Sequence, residues 1–194
     1  MSANGVSATL QPHPVCASLA ASASVSVQIA SAKDRLQLTY TACSRIAIKL
    51  PQPRGPEATR RNELWLQTCG EMFIHDPNAL GPYLEFNFSP TGDWAAYAFE
   101  ATRRGMRSHR WSHSEANASP TLRSTIDQLG DPQSRHRLIM EVSIPRSALG
   151  SASRLYPTMV LETIAGMSWW AIWHPTDRPQ FHHPDNFLQT LEVP

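Results

Sequence analysis

Residues 83–100 (YLEFNFSPTGDWAAYAFE) constrain the fold more than any other stretch of the chain. Side chains along a strand alternate between its two faces. Leu84, Phe86 and Phe88 therefore share one side, and Tyr83, Glu85 and Asn87 share the other. The first set reads as core. The second is unusual, because a solvated face more often carries Lys, Thr or Ser than an aromatic, a carboxylate and an amide in a row. Ser89, Pro90, Thr91 and Gly92 supply a turn, with the restricted φ of proline and the positive φ open to glycine. Trp94, Tyr97 and Phe99 return along a second strand. A hairpin with an apolar layer backed by a polar-aromatic layer predicts a β-sandwich with a ligand face.

The rest of the chain repeats this signal. Short period-two runs fall at residues 24–30, 35–40, 45–50, 63–67, 71–75, 137–144, 156–164, 168–174 and 186–193, each near polar or proline-rich connections. Residues 122–129 suit a strand or a short helix equally, and 145–149 suit one helical turn. The 16 prolines lie mostly between these runs. Residues 51–61 read as a loop and 102–120 as a polar, mobile insertion. The expected architecture is all-β: an antiparallel sandwich of about ten or eleven strands, forming one domain over residues 21–194 after a loosely ordered segment, 1–20.

Charge excludes some functions. Charged residues are 17% of the chain and the formal net charge is +1. The longest basic cluster (Arg103, Arg104, Arg107, Arg110) is too short for a nucleic-acid footprint. Residues 15–30 are too polar to span a membrane and lack the flanks of a secretory signal. Cys16, Cys43 and Cys69 show no metal-type pairing and suit a reducing compartment. A cytoplasmic location is the expectation, with neither a nucleic-acid nor a membrane partner.

Three longer motifs carry a resemblance. Leu64-Trp65-x-x-Thr68-Cys69-x-Glu71, the hairpin itself, and the stretch from His174 through Pro179, Phe181, His182, His183 and Pro184 to Phe187 resemble the bacterial DOMON-like domains. These are related to the family-nine carbohydrate-binding modules, and some are fused to a cell-wall reductase. Leu10, Pro12, His13 and Pro14, and the region of Ile144 and Pro145, fit less specifically. The resemblance implies a sandwich with a ligand pocket on one sheet face, and relatives that bind sugars or haem. One departure stands out: the family usually has an aromatic where this chain has Gly70. If that aromatic lines the pocket, its loss enlarges or weakens the site.

Four carboxylates fall inside apolar strands: Glu71, Glu85, Glu141 and Glu162. Buried without a partner, each is costly, so each needs a cation, a donor or a ligand. Structural pairing with Arg60, Arg103 or a histidine is one reading. The reading adopted is a shared polar cavity with aromatic walls. Trp65, Tyr97 and Trp170 are expected to stack on a ligand. Glu71, Glu85, Asn87, Glu141 and Glu162 are expected to bond its hydroxyls, with His174 and His183 closing the rim. Alternation puts Trp169 and Trp173 on one face and Trp170 and His174 on the other, and the second pair is assigned to the ligand side.

The expected function is non-catalytic binding of a sugar or another small polyhydroxylated ligand. His174, His182, His183 and Asp185 form a dense group, but adjacent histidines on extended backbone point apart, so no metal site is assigned. Haem is an alternative cofactor, with Met72, Met106 or Met167 beside a histidine, although no C-x-x-C-H motif is present. A small hydrolase or isomerase using Glu71, Glu85, Glu141 and His174 is a further alternative, without a nucleophile elbow or phosphate loop to support it.

Overall fold

The computed structural model describes residues 5–55, 57–75, 82–109, 120–128, 135–149 and 154–192. Twelve strands form among them: β1 (Gly5–Pro12), β2 (Ala23–Ala32), β3 (Arg35–Ser44), β4 (Cys69–His75), β5 (Tyr83–Phe88), β6 (Trp94–Phe99), β7 (Arg107–Ser108), β8 (Thr121–Gln128), β9 (His136–Pro145), β10 (Arg154–Thr163), β11 (Gly166–Ala171) and β12 (Leu191–Glu192). All their pairings are antiparallel, and hydrogen bonds link them in the order β7-β6-β5-β4-β10-β11-β1-β2-β3-β9-β8, with β12 beside β10. The all-β class follows from the period-two runs. Two of the strands are only two residues long: β12 falls at the end of the run expected at 186–193, and β7 lies inside the stretch expected to be an insertion.

β1 explains how one sheet makes two layers. Gly5 to Leu10 pair with β2, whereas Gln11 and Pro12 pair with β11. The strand thus belongs to both halves of a curled sheet. Residues 5–20, expected to be loosely ordered, are regular: β1 is followed by a 3-10 turn (Pro14–Cys16) and a short helix, α1 (Ala17–Ala20). Backbone pairing on both sides of β1 supplies the order that its plain Ala, Ser and Thr side chains do not announce.

The halves face each other across one apolar core. Val25, Val27 and Ile29 of β2, Leu36, Leu38 and Tyr40 of β3, and Leu138, Met140 and Val142 of β9 meet Met72, Ile74, Phe86, Phe88, Met159, Leu161 and Trp170. The Tyr40 hydroxyl crosses this interior and donates to the Glu71 carbonyl at 2.6 Å. Gly70 lies beneath the same ring, and a Cβ there would stand 3.3 Å from it. Gly70 therefore faces the core beneath Tyr40, on the side of β4 opposite Glu71.

Several elements differ from expectation. Residues 45–50 make only an isolated bridge, Ile48 to Thr163. Residues 63–67 contain a 3-10 turn (Leu64–Leu66) entered through Glu63 at φ 63°. Residues 186–193 hold the end of another 3-10 turn (Pro184–Leu188) before β12. Residues 121–128 are a strand, and 146–149 the expected helical turn. Most of the insertion expected at 102–120 lies outside the described residues; its first part turns at Arg103 and Arg104 into β7.

Candidate functional site

The half of the sheet built from β4, β5, β6, β10 and β11 is buried on both faces. Its inner face feeds the core described above. Its outer face carries Phe73, Tyr83, Ala95, Tyr97, Phe99, Tyr156, Val160 and Ala171 as a second apolar cluster, completed by Phe181, Trp65, Trp169 and Phe187. Alternation thus places the outer residues as the hairpin predicted. Three loop segments cover them.

The first cover is residues 60–66, where Asn62 accepts from the Tyr97 hydroxyl at 2.9 Å and Trp65 meets the Tyr97 ring edge-on at 5.8 Å. The second is the turn at Arg103, whose backbone N–H donates to the Tyr83 hydroxyl at 3.2 Å. The third runs from His174 to Phe187. His13 and His174 clamp it to β1: His13 Nε2 donates to the Thr176 carbonyl and His174 Nε2 to the Gln11 carbonyl, both at 2.9 Å. Asn186 fixes the bend by donating to the Gln180 and Phe181 carbonyls.

Between these covers lies a cavity of about 360 Å³, lined by Trp65, Phe99, Val160, Trp169, Phe181, Met106 and Pro179, with Glu71, Glu85, Arg103 and His182 as its polar groups. Glu71 and Glu85 are only 3% and 4% exposed. Register explains their neighbours. Glu71 lies directly opposite Asn87 on β5 and Thr158 on β10, while Glu85 lies opposite Phe73 and Tyr97. Thr158 donates to Glu71 Oε2 at 3.2 Å, and Asn87 donates to Glu85 Oε1 at 2.7 Å. Cys69 sits beside Asn87 at 3.8 Å, completing a buried polar floor.

Burial dominates the protonation of this floor. Desolvation, and then the charge of Glu85, hold the Glu71 carboxyl well above the usual carboxylate range. Desolvation raises Glu85 to about 7, opposed by the Asn87 hydrogen bond and the charge of Arg103. Burial and Arg103 together lower His182 to about 3, so its ring is neutral and its 3.7 Å approach to Glu85 is not an ion pair. The Tyr83 hydroxyl, which accepts from the Arg103 N–H, also shares a hydrogen bond with His182 Nδ1 at 2.7 Å, and His182 Nε2 faces Glu85.

The structure brings together Trp65, Glu71 and Glu85 at the cavity, with Asn87 and Tyr97 packed behind them. Five other expected residues lie elsewhere. Glu141 is exposed on β9, across from Thr39 and Arg123, because the outer face of that half is open to solvent. Glu162 pairs with Lys49 at the far end of β10. Trp170 points into the core and donates to Ser168 Oγ at 2.8 Å, so the cavity tryptophan of β11 is Trp169. His174 is the clamp already described. His183 caps the turn at Pro184, accepting from the Asp185 N–H, and the cavity takes the adjacent His182 instead.

Phe99, Arg103, Met106, Val160, Trp169, Pro179, Phe181 and His182 also line the cavity and were not among the residues expected to bind the ligand. Phe99 and Trp169 were legible in principle, since each shares a strand face with another cavity-side residue. Among the described residues no group of three His, Cys, Asp or Glu side chains is placed to hold a metal ion, and no helix is long and apolar enough to cross a membrane. Comparison with known proteins finds no family model, no curated protein and no solved structure that matches the chain.

Proposed function

We propose that this protein is a non-catalytic binding domain for a sugar or a similarly small polyhydroxylated molecule. The observation that carries the reading is the composition of the cavity. Indole and phenyl rings form its walls, and two carboxyl groups with acceptor oxygens form its floor. Sugar C–H faces stack on such rings, while hydroxyls need a few oriented polar partners. Asn87 and Thr158 hold the carboxyls in place without a ligand, which is the preorganisation that binding favours. The resemblance to DOMON-like domains and family-nine carbohydrate-binding modules points the same way. The free thiols Cys16, Cys43 and Cys69 support a cytoplasmic location.

Haem fits this site poorly. Met106 and His182 both line the cavity, but His182 Nδ1 is engaged by Tyr83 and Nε2 faces Glu85. Seating a macrocycle would set its apolar surface against two carboxyls. A hydrolase or isomerase reading would use Glu71 and Glu85 as acid and base with water as the nucleophile, and it predicts turnover of a bound sugar.

A thermal-shift screen of neutral sugars, polyols and amino sugars tests the proposal. Binding stabilises by mass action, by about 4 kcal/mol at roughly 1,000 times the dissociation constant. At least one hit is expected, lost in Trp169→Ala and left intact by incubation with the protein. A screen without hits, or a hit that the protein turns over, would overturn the reading. Added hemin is expected to keep the broad absorption of the free macrocycle, without the sharpened and shifted Soret band of protein-ligated haem.

A further inference from the structure

The two floor carboxyls have more acceptor capacity than the protein uses. Among the described residues neither makes an ion pair with Lys or Arg, and Glu85 has only the neutral His182 nearby at 3.7 Å. Glu71 Oε1 and Glu85 Oε2 accept no hydrogen bond there, and neither atom is sealed from the cavity. A neutral hydroxyl fills such positions weakly. Two carboxyls more than nine-tenths buried beneath aromatic rings form a cation receptor: charge-assisted bonds come from below and ring quadrupoles face the charge from the sides.

We infer that the cavity takes a ligand bearing a protonated amine, of the amino-sugar class, with the ammonium seated at Glu71 and Glu85 beside Trp65, Trp169 and Phe181. This rests on the proposed binding function and narrows its ligand. An ammonium supplies the counter-charge that lets both carboxyls ionise in a dry site. Arg103 provides part of that charge in the free protein, from an exposed position at the rim. Removing it leaves the floor more dependent on the ligand.

Binding is then linked to pH. Glu71 faces Cys69, Asn87, Thr158, Glu85 and Arg103; Glu85 faces Tyr83, Asn87, Tyr97, His182 and Arg103. Of these groups, Glu85, raised to about 7, is the one that releases a proton below that pH when a cation arrives, with Glu71 shifted in the same direction by burial and His182 already neutral. Affinity for the amine therefore rises as pH approaches that value from below, by up to about tenfold per unit for one displaced proton.

Isothermal titration with matched pairs tests the inference: D-glucosamine against D-glucose and N-acetyl-D-glucosamine, and D-galactosamine against D-galactose and N-acetyl-D-galactosamine. At pH 7 one amine is expected to bind about tenfold or more tighter than both of its uncharged partners, and less tightly at pH 5. Glu85→Gln, which keeps the acceptor for Asn87, is expected to erase the preference, as is Glu71→Gln. Neutral sugars binding as well as the amines would overturn this inference and leave the polyhydroxyl reading standing. Failure of every sugar, charged or not, would overturn both. The pairs measured on the parent protein decide the matter even if a Gln variant fails to fold.

Discussion

Glu85 and Glu141 occupy equivalent places in the pattern of this chain, a carboxylate alternating with large apolar residues, and they have opposite fates. β5 belongs to the half of the sheet whose outer face is roofed by residues 60–66, the Arg103 turn and the segment from His174 to Phe187, and there Glu85 is buried. β9 belongs to the half whose outer face is bare, and there Glu141 meets water. The strands set the face on which a residue lies. Loops decide whether that face is dry, and a loop's resting place depends on tertiary contacts such as the two histidine clamps on β1.

The comparison can be broken most decisively at the two adjacent tryptophans. Trp170→Ala empties part of the core and is expected to cost about 3–5 kcal/mol, read by denaturant unfolding. Trp169→Ala is expected to cost distinctly less in stability and to remove ligand binding. A reversal of these two outcomes would mean that the faces have been assigned the wrong way round.

The carboxylates give the next largest contrast. Burial raises the Glu85 carboxyl from the ordinary 4.5 to about 7 in the folded protein. The folded protein therefore holds a proton that the unfolded chain releases, and the stability this supplies is full below about 4.5 and lost as pH rises through about 7. His182 acts in the opposite sense: its value falls from 6.5 to about 3, so its contribution is present above 6.5 and lost on acidification. Because the two oppose one another between 4.5 and 6.5, the informative quantity is the difference between parent and variant. Glu85→Gln is expected to gain on the parent between pH 4.5 and 7 by on the order of 2–3 kcal/mol. Melting curves that stay parallel across this range would contradict a dry floor.

The smallest effects are expected on the open half and at the strand ends. Glu141→Gln should change stability by less than about 0.5 kcal/mol. Glu162→Gln should cost no more than about 1 kcal/mol, since its partner Lys49 is 53% exposed. A larger loss at Glu141, seen in urea unfolding, would show that its face is covered after all.

Much of the fold was legible because period-two alternation is a local signal. The hairpin, its turn, the inner row of Leu84, Phe86 and Phe88 and the outer row of Tyr83, Glu85 and Asn87 all stand as read. β1 was less visible, since its order comes from pairing with β2 and β11 rather than from its own side chains. The site was half legible. Glu71, Glu85 and Trp65 could be picked out as polar or aromatic residues beside apolar strands. The choice of Trp170 over Trp169 required knowing which face of β11 meets the other half of the sheet, and the roof residues Arg103, Phe181 and His182 lie in irregular segments with no period to read.

The roofed outer face of β4, β5, β6, β10 and β11 is the proposed binding site. A crystal structure of the protein soaked with the tightest member of the sugar and amino-sugar panel tests it most directly. The account predicts that ligand lies between Trp65 and Trp169, within hydrogen-bond distance of Glu71 or Glu85. Ligand on the open face of β2, β3 and β9, or a cavity left empty while the ligand occupies another surface, would contradict it.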